Sequence, residues 1–452
     1  MGRLYIDKTV LARGDIRLLN LGKGLFSGFC FNKASLSLEN GKENTFLVGN
    51  ISLPRIDEGC EYALQVNEGG IAILARDYGS LVRGFFSLLM KIKWEAGNDK
   101  LFIDEVYELG KYKIKNRMAH LCIFPETELD RLKKYIRLLG ALQFTHVVIE
   151  IWGCMRYDCL NKLGWESSFS KSEIKELVSE IKELGMEPIP MFNSLGHASG
   201  CRSMSGKHTV LDQNPSLYYL FTPDGWAWDL ENTQVWELLR NVRKELYEIF
   251  EGCKYFHLGF DESHSHNKNP YLAERLPYYL KRLCDEVTYE GKRPMIWIDM
   301  LLPPEAYNGF LPSCHSQKSI TECLKILNSL PKSTVLIDWE YDVKKSPIST
   351  LAYYKDSGFD IMGASWLDDE NIGAHIDTVC QYSLFGAMLT TWHTLFKNSD
   401  GIISFAKNFG AQLPWFYKES DNMMIAAALL RKLSFEKSDY FSSGFVKYQL
   451  DR

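Results

Sequence analysis

Residues 255–264 read Tyr-Phe-His-Leu-Gly-Phe-Asp-Glu-Ser-His, an apolar run that loosens at Gly259 and gives out into two neighbouring carboxyls, Asp261 and Glu262. Adjacent acids at a strand end are costly, because each disfavours ionisation of the other. The same coupling suits acid catalysis: one carboxyl keeps a proton to donate near neutral pH while its neighbour stays charged and balances developing positive charge. A reading without chemistry also exists, in which Asp261 caps a helix as an ordinary solvated acid. His257, His264 and His266 flank the pair and weigh toward a site.

Such residues need a frame. From Asn116 onward the pattern is strand, loop, helix, with strands expected at 118–123, 146–151, 187–192, 255–259, 294–298, 334–338, 360–364 and 386–391. Helical periodicity fills most gaps, over 128–139, 171–184, 233–250 and 273–289. Eight β–α units over this length predict a (β/α)8 TIM barrel, an α/β fold of usually about 250 residues. It is expected over 113–420, with the helical segment 421–452 closing it. Residues 1–112 predict a small α+β domain: short strands at Thr45–Gly49, 62–66 and Gly70–Ala75, a hairpin turn at Asn67-Glu-Gly-Gly, and a helix after Asp77. The stretch 105–115 is expected to be a connector.

Barrels of this type keep their chemistry at the C-terminal ends of the strands. The second strand ends at Glu150-Ile-Trp152 and the third at Asn193-Ser-Leu-Gly-His197. The fifth ends at Trp297-Ile-Asp299, the sixth at Trp339-Glu-Tyr341, the seventh at Trp366-Leu-Asp368 and the eighth at Trp392-His393. Carboxylates, histidines and tryptophans recur at these exits, where core packing alone predicts no polar groups. Tryptophan is good core filler, but four indoles around a rim would box a sugar ring. The pattern points to a glycosidase.

These motifs resemble glycoside hydrolase family 20, the β-N-acetylhexosaminidases. His257-Leu-Gly-Phe-Asp-Glu262 is similar to the family's His-x-Gly-Gly-Asp-Glu signature, and Gly196-His197 to its Gly-His element. Residues 62–92 resemble the small domain that precedes the family's barrel. In pattern the barrel is similar to the hexosaminidase D-like branch. The resemblance implies an exo-acting, retaining enzyme in which the sugar's own 2-acetamido oxygen is the nucleophile, a known exception to the two-carboxylate scheme. Asp261 would orient the acetamide and Glu262 would serve as acid, then base. His197, held by Glu150, would tune Glu262. Arg117 would grip ring hydroxyls, and Trp297, Trp339 and Trp392 would wall the pocket, with Tyr341 and Asp368 also at the sugar. Trp366 stands where the family's acetamide-binding tyrosine is expected. The chain departs from the family at Phe260 (the signature's second glycine), at Trp152-Gly153 in place of an acid, and at His393-Thr394 where a Trp-x-Glu is expected. These departures leave gluco versus galacto preference open.

Bulk properties bound the alternatives. With 52 Lys and Arg against 57 Asp and Glu, the formal charge is -5, and no basic face for nucleic acid is expected. The lysines between 111 and 115 read as solvated surface. No apolar run is long enough for a membrane, and no secretory leader is visible, so a cytoplasmic protein is expected. The 11 cysteines lack CxxC spacing and read as free thiols. The expected partner is an N-acetylhexosamine-containing oligosaccharide or glycoconjugate, with no cofactor. Two rivals stand beside this reading. One is a metal-dependent barrel hydrolase drawing ligands from His197, His257, His264, His266 and Asp261; the other is a non-catalytic carbohydrate-binding barrel.

Overall fold

The computed structural model describes residues 2–95, 97–124, 127–164, 166–198, 210–307, 318–392, 399–414 and 421–433. The small domain contributes β1 (Arg3–Ile6), β2 (Thr9–Gly14), β3 (Ser35–Asn40), β4 (Thr45–Gly49), β5 (Tyr62–Asn67), β6 (Gly70–Ala75), β7 (Lys93–Glu95), β8 (Lys100–Asp104) and β9 (Val106–Leu109). Six of them form one sheet in the order β3-β2-β4-β6-β5-β9, and β1-β8-β7 form a second. The expected hairpin joins β5 to β6 in register from Asn67↔Gly70 to Tyr62↔Ala75. Gly70 sits at φ +138, where a Cβ would meet the Val48 carbonyl oxygen at 1.9 Å, so only glycine fits the turn. The helix Tyr78–Met90 starts where Asp77 accepts the Ser80 N–H, and it buries Leu81, Phe85, Leu88 and Leu89. The stretch 105–115 is more than a connector. Its first half is the edge strand β9, pairing Val66↔Val106 through Ala63↔Leu109, because Val106-Tyr-Glu-Leu109 alternates as a half-buried strand does.

The barrel closes from β10 (Asn116–Cys122), β11 (His146–Glu150), β12 (Glu187–Met191), β13 (Tyr255–His257), β14 (Arg293–Trp297), β15 (Val335–Asp338), β16 (Asp360–Ser365) and β17 (Gly386–Thr390). All pairs are parallel, and β10 meets β17 at Asn116↔Gly386. Each strand falls within two residues or so of its sequence expectation, because a strand covered on both faces reads as a continuous apolar run. Helices such as Leu129–Ala141, Lys171–Glu183 and Thr233–Ile249 form the outer ring. Ser170 and Glu173 close a capping box at the start of the second of these.

Two cores result. Inside the barrel, Met118, Val148, Met191, Met295, Ile337 and Met388 pack with Trp297. Outside it, the barrel helices and the small domain share one continuous apolar core. The C-terminal helix Asn422–Lys432 packs on Ser399–Phe409, Leu129–Ala141 and the small domain's Leu19–Phe29. Residues 434–452 lie outside the described residues. No described helix is long and apolar enough to cross a membrane.

Candidate active site

β13 is only three residues long, and the chain leaves it through a tight turn. His257 Nδ1 accepts the Gly259 N–H at 3.1 Å, which fixes the ring's proton on Nε2. Burial above all, then the neighbouring His120, drives His257 down to about 3, so the ring is neutral. Gly259 (φ +77), Phe260 (φ +88) and Glu262 (φ +47) then carry the backbone through the left-handed region. For a side chain with a Cβ this costs about 1–2 kcal/mol per residue. The family's second glycine would occupy position 260 freely; here a buried Phe260 does so under strain. Specific contacts hold Glu262 in its conformation. Its N–H donates to Asp299 Oδ2 at 2.9 Å, and its carbonyl oxygen accepts the Trp226 indole N–H at 2.7 Å.

The exit of β12 leans over this turn. Gly196 is obligatory there, since a Cβ would meet the Asp261 carbonyl oxygen at 2.3 Å and the Ser263 backbone at 3.0 Å. That approach places His197, itself at φ +52, on the acids. Its Nε2 lies 2.9 Å from Glu262 Oε2 and 3.4 Å from Asp261 Oδ2. One imidazole nitrogen therefore reaches both carboxyls, and the ring packs 4.6 Å from Trp226. Asp261 is buried and Glu262 partly exposed.

Beside the acids lies a connected aromatic wall. Trp339 donates its indole N–H to Asp299 Oδ1 at 3.1 Å and packs 5.3 Å from Tyr341. Tyr341 packs 5.5 Å from Trp366 and accepts the Trp392 indole N–H at 2.8 Å. Trp392 in turn lies 5.8 Å from Trp297, which is fully buried and roofs the barrel core. Thr390 Oγ1 lies 3.2 Å from the Tyr341 oxygen and gives its single proton to the Ser365 carbonyl oxygen at 2.9 Å, so it accepts from the phenol. The Tyr341 hydroxyl thus accepts from Trp392 and rests its own proton on Thr390. Burial pushes this phenol well up, and the Asp261 charge adds to it.

Four sequence expectations need correction. Trp297, expected on the wall of the sugar pocket, is fully buried in the barrel core behind Trp392. Arg117 lies at the opposite, N-terminal end of β10, fully buried, and its guanidinium holds Glu61 at 2.9 and 3.2 Å and the Gln143 carbonyl oxygen at 2.9 Å. It docks the small domain and reaches no sugar. Glu150 does not orient His197: its carboxylate bonds His120 Nε2 at 3.0 Å and accepts from Asn193 Nδ2 at 3.1 Å, beneath the aromatic wall. Asp368 caps the helix Asp369–Tyr382, accepting from the Glu370 and Asn371 N–H groups, and pairs with Lys344. His393 and Thr394 lie outside the described residues.

Two residues were missed. Trp226 comes from a loop with no periodic pattern to announce it. Asp299 was visible as a strand-exit acid but was given no role. It braces both Glu262 and Trp339. Burial first, then the Asp261 charge, raises its carboxyl well above the ordinary range. Of the metal-ligand candidates, His257 points into the barrel, and His266 Nδ1 is tied to Ser263 Oγ at 2.7 Å. Among the described residues no three His, Cys, Asp or Glu side chains converge as a metal cage requires. The described cysteines are free and mostly buried.

Residues 153–341 match the family model for the glycosyl hydrolase family 20 catalytic domain, a span that includes both acids and His197. This stretch of the barrel is a glycosyl hydrolase family 20 catalytic domain. The protein that carries it is a glycoside hydrolase. Its fold is similar to the exo β-N-acetylglucosaminidase of Vibrio harveyi, solved with N-acetylglucosamine, at 15% identity and TM-score 0.66, covering 96% of this chain and 75% of that one. The β-N-acetylhexosaminidase of Streptomyces coelicolor A3(2) is similar at 13% identity and TM-score 0.67, covering 97% and 95%. The Bacteroides fragilis β-N-acetylhexosaminidase is similar at 15% identity and TM-score 0.63, covering 99% and 92%. At these identities the likeness is one of fold. No curated protein matches the sequence.

Proposed function

We propose that this family 20 hydrolase is an exo-acting, retaining β-N-acetylhexosaminidase that removes terminal GlcNAc or GalNAc by substrate-assisted catalysis. The observation that carries the proposal is the arrangement of the two acids. Asp261 and Glu262 are chain neighbours within reach of one imidazole nitrogen. Retaining glycosidases with an enzyme nucleophile set their carboxyls about 5–5.5 Å apart, flanking the scissile bond. Two acids gathered at one imidazole leave the far side of the sugar to another nucleophile. The 2-acetamido oxygen supplies it.

In the first step that oxygen forms a bond to the anomeric carbon as the glycosidic C–O bond breaks. Glu262 delivers its proton to the departing oxygen. The resulting oxazolinium ion carries positive charge on its N–H, which the Asp261 carboxylate accepts and balances. In the second step Glu262 takes a proton from water, the water oxygen bonds to the anomeric carbon, and the acetamide oxygen leaves. Two inversions give net retention. His197 keeps the Glu262 carboxyl aimed, while the indoles of Trp339, Trp366 and Trp392 box the ring and the acetamide methyl, backed by the buried Trp297. The Tyr341 hydroxyl, turning its proton from Thr390, serves as donor to the acetamide oxygen in place of Trp366.

The test is a panel of aryl β-glycosides differing only at C2 and C4. Turnover is expected for the 2-acetamido sugars, and about 10³-fold less or worse for glucose and galactose, which lack the internal nucleophile. Equal cleavage of the 2-hydroxy substrates would sink substrate assistance.

A further inference from the structure

A large described cleft lies away from the active site. It lies at the N-terminal face of the barrel, against the small domain, with a volume of ≈ 1180 Å³. Eight lysines and arginines line it against three acids, in a chain whose formal charge is -5. Its acids are already engaged. Arg117 and Arg83 share Glu61, a buried cluster with one positive charge in excess. Burial works to raise the Glu61 carboxyl, yet the two guanidiniums hold it below its ordinary value. Glu187 pairs with Lys254 at 3.1 Å, and Asp77 caps a helix. Lys113, Lys115, Arg76 and Lys182 have no carboxylate within 4 Å among the described residues. Arg76 reaches only the carbonyl oxygens of Cys60 and Asp57, and Lys182 only that of Glu251. The field is felt locally: burial above all, then Lys254, Arg117 and Arg83, drives His146 down to about 3.

A cleft lined by one sign of charge focuses its field and concentrates counter-ions. We infer that this cleft binds a small molecule carrying two or more phosphate groups, bridging the small domain and the barrel. Phosphate fits better than a single carboxylate, because the uncompensated cations come from three separate segments and only clustered anionic oxygens reach them together. Arginine forks favour phosphate oxygens and lysines serve as point charges. Lys113 and Lys115, which sequence alone reads as solvated surface, become ligands. The cleft and the tryptophan wall lie at opposite ends of the barrel, so occupancy is independent of substrate.

The experiment is calorimetric titration of the full chain with inorganic tripolyphosphate at low ionic strength. One saturable site per chain is expected. Affinity should fall roughly tenfold or more in Lys113→Ala/Lys115→Ala, a loss of about 1.4 kcal/mol, and similarly in Lys182→Ala. These exposed side chains anchor no core, so aryl-glycoside hydrolysis should be unchanged in both variants. No saturable binding, or equal affinity in the variants, would overturn the inference. Equal binding of citrate at matched ionic strength would overturn the phosphate class. Displacement by N-acetylglucosamine would place the anion at the tryptophans and overturn the site. None of these outcomes bears on glycoside hydrolysis, which the aryl-glycoside panel judges alone.

Discussion

The two ends of the barrel use the same residue types for opposite purposes. At the N-terminal face Arg117 and Glu61 satisfy each other with ordinary backbone and lock two domains together. At the C-terminal rim acids stand close to acids. Of the twelve non-glycine residues with positive φ among the described residues, Trp152, His197, Phe260, Glu262, Leu367 and Trp392 all follow barrel strands. Strain of this kind persists only where surrounding contacts over-determine it, and it collects at functional sites. Paired charge with relaxed backbone marks scaffold, whereas crowded like charge with strained backbone marks chemistry.

Substitution at each end should separate the two. Glu262→Gln removes the transferable proton and leaves the fold intact, so turnover of an aryl N-acetylhexosaminide should drop at least about 10³-fold with an unchanged melting temperature. Arg117→Met should do the reverse. It leaves the Glu61 carboxylate buried beside Arg83 alone, and breaking such a pair costs about 3–5 kcal/mol. Denaturant midpoints should fall while kcat per folded molecule holds. A large kcat loss in Arg117→Met with normal stability would reverse the assignment of the two ends.

Acid should weaken scaffold at both ends. Burial, as the leading cause, holds His146 and His257 at about 3 and His266 and His375 at about 4. A histidine whose folded value is lowered is protonated first in the unfolded chain. Its contribution is therefore full above about 6.5 and is lost as pH falls toward the folded value, at about 1.4 kcal/mol per pH unit. Asp299, raised, and Asp338, pushed up to about 7 by burial, act in the other direction. They keep protons in the folded state that the unfolded chain releases, and that stability is lost as pH rises through their folded values. Five lowered histidines, His264 included, oppose four raised acids, Glu340 and Asp400 included, so the histidines leave a net fall in stability between about pH 6.5 and 4. Urea midpoints at pH 7.0 and 5.5 check this; a higher midpoint at pH 5.5 would refute it.

Asp299 sharpens the contrast from inside the rim. It touches no expected sugar position but holds the Glu262 N–H and the Trp339 indole, so it positions the acid and one wall together. Asp299→Ala should lower kcat about 10–100-fold, by analogy with the loss of an outer-shell partner at a metal site. Asp299→Asn keeps an acceptor oxygen and should recover part of that loss. If both variants lose activity only through unfolding, seen as a matching fall in midpoint, the positioning role fails.

Much of this was legible in the sequence. Eight buried parallel strands leave continuous apolar runs, and the exits of those runs named Asp261, Glu262, His197 and the four tryptophans. Arg117 was misread because a residue at the start of a strand carries no mark of which barrel end it serves; its partner Glu61 is 56 residues away in another domain. Glu150 was assigned to the nearest plausible base, yet β11 aims it into the barrel toward His120 on the neighbouring strand. Asp368 was a helix cap, an explanation available from Asp-Asp-Glu at a helix start. Trp226 had no signal, since loop position follows from tertiary packing alone.

The finest distinction lies within the wall, between Tyr341 and Trp366. Both rings line the same side, 5.5 Å apart. The Tyr341 oxygen accepts from Trp392, which fixes the phenol, and its proton rests on Thr390, from which it can turn to a ligand. Tyr341→Phe keeps the ring and removes one hydrogen bond to the acetamide, a loss of about 0.5–1.5 kcal/mol, or up to roughly tenfold in kcat. It also leaves the Trp392 N–H without its acceptor, so the effect should sit at the top of that range. Trp366→Phe, which trims stacking area and the indole N–H, should cost less than about threefold and appear in KM if the indole is not the donor. Comparison of kcat for the two variants on a 2-acetamido substrate decides between them. A greater kcat loss in Trp366→Phe would return the donor role to the indole.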